Sequence, residues 1–227
     1  MTTNSGSNNL EVMNFAIKYL AHVGNLVRAN LPASGEILEV GSGDGTQTTY
    51  VGIGRERLFC VENDSRMQSE LRTKGFVVAP EVSWFNERRF SGAYSINCLE
   101  HIQDDLGHLR SIRRVMLPNG PIVIYVPALP ILYTSMDARV GHFRRYTKKS
   151  LCKLVKDAGF ETVSVDYVDS LGVLVTLAYK LLRLKSGAPS RRSVKLYDRA
   201  LFPLSRLFDL VAKKVIGKNL IVVAIKH

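Results

Sequence analysis

The chain has 227 residues, 46% of them hydrophobic and 22% charged, which suits one globular domain with an elaboration. Cys60, Cys98 and Cys152 are its only cysteines; an odd count without paired spacing argues against a disulfide framework and against a zinc site, and points to a reducing cytoplasm. The net charge of +11 is uneven: residues 171–227 hold 12 Lys/Arg against Asp198 and Asp209, or +10, and the first 170 residues carry only +1. Such asymmetry suggests an anionic partner, either lipid head groups or nucleic acid.

Residues 1–9 are polar, without an apolar anchor, and are expected to be a disordered tail. They have neither the basic start nor the apolar core of a signal peptide. Residues 10–227 are expected to form one domain. Leu10 to Leu31 carries Met13, Ile17, Leu20, Val23 and Val27 near helical spacing, and Pro32-Ala33-Ser34-Gly35 ends it. The apolar run 36–40 predicts a first strand that enters Gly41-Ser42-Gly43-Asp44-Gly45. Glycines there let the chain turn sharply and let a ligand approach the main chain. A second strand, 58–62, ends in Glu62, near the ~20-residue offset at which a carboxylate can take two ribose hydroxyls. A dinucleotide site wants Gly-x-Gly-x-x-Gly. Here the third glycine comes one residue early, and Glu39 and Asp44 put negative charge around the turn. That lining suits a nucleoside bearing an amino group and a sulfonium, such as S-adenosylmethionine (SAM), better than a pyrophosphate.

Further strands are predicted at 76–79, 92–97, 122–126, 162–168 and 220–225. Between them lie helices from Asp64 or Ser65 to Lys74, from 103 to 116, and from the cap Thr147 to Ala158. Regular alternation of strand and helix indicates an α/β, doubly wound, Rossmann-like sheet.

Glu39-Val40-Gly41-Ser42-Gly43-Asp44-Gly45, Val61-Glu62, Asn97-Cys98-Leu99-Glu100-His101-Ile102 and Leu117-Pro118-Asn119-Gly120 together resemble, in order, the motifs of class I SAM-dependent methyltransferases. The resemblance spans about residues 36–170, and its first and third motifs are fairly specific. It implies seven strands, the last antiparallel and inserted between strands 5 and 6. It also implies SAM as cofactor, held by Glu39, Gly41, Ser42, Gly43, Gly45, Glu62, Asn63, Asn97, Leu99 and His101. Two positions depart from the family pattern: Ser91 stands where an Asp commonly opens strand 4, and Val77-Val78-Ala79-Pro80-Glu81 lacks the usual acid after strand 3, with Glu81 its candidate replacement.

Two segments exceed a minimal fold and are expected to be functional. The first, 127–147, contains Tyr133, Asp137, Gly141-His142-Phe143-Arg144-Arg145-Tyr146, a pattern similar to one in bacterial methyltransferases related to those acting on quinones, lipids and glycans. His142 is the candidate general base, since imidazole titrates near neutrality, with Asp137 as its orienter. A structural hydrogen bond that shapes the loop is the competing role. Tyr133, Asp137, Arg144, Arg145 and Tyr146 are candidate acceptor-binding residues. The arginines suit a carboxylate or phosphate, unless one of them pairs with Asp137. No metal is required, because the donor is already activated.

The second segment, 169–218, is expected to be a basic helical cap between strands 6 and 7. Its first apolar run, about 14 residues, is too short to span a membrane, which takes roughly 20. A second helix, Val194 to Val215, is expected to kink at Pro203. The cap either packs as a lid with solvated charges or rests on an anionic membrane surface. The expected acceptor is a small or lipid-like molecule, with oxygen the favoured atom. The alternative is a nucleic-acid-binding or RNA-methylating protein. It is less favoured because Tyr179, Tyr197, Phe202 and Phe208 are the only aromatics among the basic residues of the cap.

Overall fold

Strand β1, Ile37–Val40, is buried on both faces, which fits a run without alternating polarity. The computed structural model describes residues 12–181 and 190–227. Around β1 assemble β2 (Leu58–Val61), β3 (Val77–Ala79), β4 (Gly92–Ile96), β5 (Pro121–Pro127), β6 (Phe160–Val168) and β7 (Asn219–Lys226). They form one seven-stranded sheet in the order β3-β2-β1-β4-β5-β7-β6. β1 pairs in parallel with both β2 and β4, and β7 is antiparallel to β5 and to β6. This is the expected doubly wound α/β sheet with its last strand reversed. The order switches direction between β1 and β4, so the loops after those strands diverge and leave a crevice at their carboxyl ends.

Helices α1 (Ile17–Arg28), α2 (Thr46–Val51), α3 (Ser65–Thr73), α4 (Asp105–Val115) and α6 (Lys148–Asp157) cover the sheet. Alternate strand residues divide the core. Leu38, Val40, Val61 and Ile124 face one layer with Leu109 and Ile112 of α4 and Leu151 of α6. Ile37, Cys60, Tyr94 and Tyr125 face the other with Leu20 and Val23 of α1. Caps agree with the sequence signals: Asp64 accepts from the N–H groups of Arg66 and Met67, and Thr147 forms a capping box with Ser150.

Two elements differ from expectation. The expected first helix is interrupted: residues 12 and 13 are helical, 14 and 15 form a turn, and the main helix runs Ile17–Arg28. The N–H groups of Lys18 and Tyr19 are capped by Asp198, about 180 residues away, at 3.0 and 2.8 Å. The second helix of the basic segment starts earlier than expected and is not a single rod. Ser190 caps α8 (Arg191–Leu196), a π turn spans Tyr197–Leu201, and α9 (Phe202–Ala212) follows with Pro203 in its first turn. Proline is tolerated there because first-turn amides have no helical partner. The first helix of that segment is α7 (Ser170–Leu181). The expected tail 1–9, and Arg183 and Lys185, lie outside the described residues.

Asp209 of α9 accepts from the N–H groups of Asp169 and Ser170, at 2.9 and 2.8 Å, capping α7. Lys180 of α7 donates to the Ile131 carbonyl at 2.5 Å. The two insertions therefore meet at the carboxyl edge of the sheet. No described helix is long and apolar enough to cross a membrane.

Candidate active site

The glycine turn follows β1 directly. Gly41, Gly43 and Gly45 all have positive φ, at +81°, +56° and +80°. A side chain on Gly41 would collide with Cys98 of the segment after β4, whereas one on Gly43 would meet nothing within 4 Å. Gly41 therefore allows the β1 and β4 loops to touch, and Gly43 opens the space above the turn. Glu62 flanks that space. Its Oε2 accepts from the Gly43 N–H at 2.8 Å and its Oε1 from the Asp64 N–H at 2.9 Å. Asn63 is exposed beside it. An open turn edged by a carboxylate fits the hydroxyls and cationic groups of the nucleoside expected from the sequence.

Glu39 lies beneath the turn. Its Oε2 accepts from the Thr48 hydroxyl at 2.7 Å and contacts the Cys60 thiol. Burial pushes its carboxyl up to about 7, against the lowering effect of the Thr48 hydrogen bond. Its contacts thus run to the interior and brace the turn from below. Ser42 is buried as well.

Beyond β4, Asn97 takes a positive φ of 49° and donates its N–H to the Tyr125 carbonyl at 2.8 Å. Leu99 and Glu100 are buried in a 3-10 turn, Leu99–His101. His101 is exposed and stacks edge-on against His142, with ring centroids 4.6 Å apart. Although one edge of the ring is exposed, packing of the rest drives the His101 imidazole down to about 4, and a charge on His142 would add to that.

His142 comes from the segment after β5. Thr134 starts α5 (Ser135–Val140) through a capping box with Asp137, and Gly141 ends it at φ 87°. The reversal at Gly141 brings the His142 ring back onto α5. His142 Nδ1 lies 2.8 Å from Asp137 Oδ1. Asp137 is only 2% exposed and also accepts from Arg145 Nε at 2.8 Å, Arg145 Nη2 at 3.1 Å and the Thr134 N–H at 2.9 Å. Burial raises its carboxyl, but hydrogen bonds from His142 and Arg145, and the charge of Arg145, outweigh that and hold it well below the usual carboxylate range. An ionised Asp137 accepts a hydrogen bond from Nδ1, so Nε2 is the ring nitrogen directed away from the carboxylate.

The other expected acceptor-binding residues have partners within the chain. Arg144 pairs with Asp105 at 2.7 Å and bonds the Gln103 carbonyl at 2.8 Å. Tyr146 is buried, its hydroxyl donating to Asp105 at 2.9 Å. Tyr133 donates to the His142 carbonyl at 2.7 Å. These residues, with Arg145, build the loop that carries His142. A cavity of about 330 Å³ lined by Asp105, Arg144, Ser150 and Lys153 lies behind that loop, not at the glycine turn.

The sequence marks Glu100 only as part of the motif after strand 4. Its carboxylate is 1% exposed, neither oxygen has a hydrogen-bond partner, and burial lifts it to about 8. Only the packing of the β4 and β5 loops brings it within 3.8 Å of His142 Nε2.

A doubly wound sheet with a reversed last strand and a glycine turn after β1 defines a nucleoside-binding α/β fold. Residues 14–165 match the family model described as a methyltransferase domain; the chain belongs to this family and is a methyltransferase. The match stops short of α7, α8, α9 and β7. Among solved structures, a SAM-dependent methyltransferase from Thermotoga maritima superposes with a TM-score of 0.61 at 16% identity, covering 97% of this chain and 94% of that one. Phosphoethanolamine N-methyltransferase 2 of Haemonchus contortus, in complex with SAM, gives 0.59 at 14%, covering 94% of this chain and 56% of its own. The [4+2]-cyclase SpnF gives 0.60 at 17%, covering 91% and 81%. These likenesses concern the fold, which hosts more than one reaction.

Proposed function

We propose that the chain transfers a methyl group from SAM to a small or lipid-like acceptor, with oxygen as the acceptor atom. One observation carries this reading. The segment 97–101 touches the glycine turn at one end, where Cys98 packs against Gly41, and the His142 loop at the other, where the Phe143 N–H donates to the Glu100 carbonyl at 2.8 Å. Donor turn and candidate base thus flank one short piece of chain. SAM, when bound, supplies a methyl group already activated on sulfonium. Gly41, Gly43 and Glu62 hold the nucleoside, and Glu39 braces the turn. His142 Nε2, its tautomer set by Asp137, takes the proton of the acceptor hydroxyl. The test is incubation with methyl-labelled SAM and either a lipid extract or RNA. Label in lipid supports the reading, and label in RNA alone replaces it with the nucleic-acid alternative.

A second observation bears on where the acceptor comes from. On α9 the side chains of Leu204, Leu207 and Val211 follow one another at helical spacing and are all exposed, Val211 to 80%, and the exposed Val215 lies in the turn that follows the helix. Leu174 and Leu181 of α7 are exposed as well. Arg206, Lys213 and Lys214 lie among them, all exposed. An apolar row flanked by cations suits the interface of an anionic membrane. The row is aliphatic apart from Phe208, which suits lipid better than the stacked bases of a single-stranded nucleic acid.

A further inference from the structure

We propose that Glu100, His101 and His142 form a binding site for one divalent transition-metal cation, with zinc the ion that their two imidazoles and one carboxylate fit. The proposal builds on the methyl-transfer reading above, because it gives the acceptor side of the same crevice a second charged group.

Among the described residues these three present one ligand atom each within 4.8 Å of one another. A tetrahedral zinc with bonds of ~2.1 Å holds its ligand atoms ~3.4 Å apart. The 3.8 Å between Glu100 Oε1 and His142 Nε2 is therefore too long for a good hydrogen bond and close to the separation of two ligands on one ion. Small side-chain rotations would bring the third into range.

The outer contacts have the form a metal site needs. A ligating histidine commonly hands its second nitrogen to a carboxylate or a main-chain carbonyl, which fixes the tautomer and aims the lone pair. His142 does so through Nδ1, 2.8 Å from Asp137. His101 Nδ1 lies next to Gly141. Asp137 is itself held by Arg145 at 2.8 Å, so the imidazole it orients cannot swing freely.

Glu100 supplies the independent observation. A carboxylate that is 1% exposed with two unpartnered oxygens costs free energy unless something positive or hydrogen-bonding meets it. A cation between it and the two imidazoles would remove that cost. Three protein ligands leave at least one position open in a tetrahedral site, the arrangement of catalytic rather than structural zinc. The exposed His101 marks the side from which an acceptor oxygen could reach that position and be polarised. His142 Nε2 cannot be ligand and base at once, so in the cation-loaded protein an acceptor hydroxyl on the ion would lose its proton to solvent through the open side at His101.

The experiment uses the full chain stripped with chelator and no SAM. Zinc chloride is titrated by calorimetry, and bound metal is counted by elemental analysis after desalting. One equivalent is expected. Glu100→Gln and His101→Ala should each weaken zinc binding at least tenfold, and His108→Ala, on α4 and outside the trio, should not. Cobalt(II) loaded in place of zinc should give the intense visible bands of a low-coordinate site, and His101→Ala should abolish them. No bound zinc in the folded wild-type chain overturns the proposal. So does binding that survives both substitutions, which would place the ion on surface groups such as His227 and Glu161. If Glu100→Gln does not fold, the exposed His101→Ala decides alone. Because SAM is absent, failure here leaves the methyl-transfer reading standing, and a chain that binds zinc but not SAM would fail that reading instead.

Discussion

The main-chain N–H of Tyr19 donates a 2.8 Å hydrogen bond to the carboxylate of Asp198, so a residue of the basic cap closes the N-terminus of the first helix. The neighbouring Lys18 N–H does the same at 3.0 Å, and both bonds do the work of an N-cap side chain that Ala16 lacks. Asp198→Ala should lower stability by about 1–3 kcal/mol, since buried donors lose their acceptor. Asp198→Asn should recover part of that. Urea unfolding followed by circular dichroism checks it, and an unchanged midpoint would show that the cap does not clamp α1.

Glu39 should impose a pH dependence on stability. Its folded-state carboxyl is raised from 4.5 to about 7 by burial. A raised value means that the folded chain favours the protonated form. The contribution is therefore present below about 4.5 and is lost as pH rises through about 7. Glu39→Gln mimics the protonated state. Its melting temperature should exceed that of wild type at pH 8, and the two should converge near pH 4.5. Parallel melting curves across that range would mean that Glu39 is not titrating where its burial places it.

Glu62→Ala should weaken SAM binding at least tenfold, about 1.4 kcal/mol or more, because the ribose hydroxyls lose a buried acceptor. Calorimetry measures this, with NAD as a ligand expected not to bind. Wild-type SAM affinity in a folded Glu62→Ala chain would move the nucleoside elsewhere.

His142→Ala should reduce kcat roughly a hundredfold or more while SAM affinity stays within a few-fold. Asp137→Asn should also lower kcat, because the tautomer is no longer fixed. It should cost stability too, since Arg145 would face a neutral amide in place of its 2.8 Å ion-pair partner. Equal losses in SAM binding and turnover would indicate that the whole loop has collapsed.

The cap should bind vesicles containing anionic lipid, more weakly at high salt. Charge removal at Arg191, Arg192, Arg206 and Lys213 by Gln should weaken sedimentation with them. Leu207→Ser with Val211→Ser should weaken it further by removing the apolar row. Indifference to lipid charge would leave α7, α8 and α9 as a lid without a surface role.

Much of this could be read from short-range chemistry. The strand into Gly41, Gly43 and Gly45 and the carboxylate closing β2 are local patterns, because a positive φ and a side chain at a strand end depend on a few adjacent residues. The Asp137–His142 pair was legible for the same reason: five residues, one helical turn and a Gly141 reversal bring the two side chains together. The partnership of Arg145 with Asp137 stood as one of two readings, and the choice required knowing that Asp137 is buried.

What the sequence alone determined was the order of strands and helices, the glycine turn after β1, and the charge and apolar content of the cap. The tertiary structure decided which distant groups meet. Asp198 caps Tyr19, Asp209 caps α7, and Glu100 faces His142 because the sheet sets β4 beside β5 and folds the cap against α1. None of these encounters leaves a periodic trace in the chain, since the side chains concerned are separated by tens of residues. Their pairing follows from burial, where an unpartnered charge or amide is costly, and burial is a property of the assembled fold.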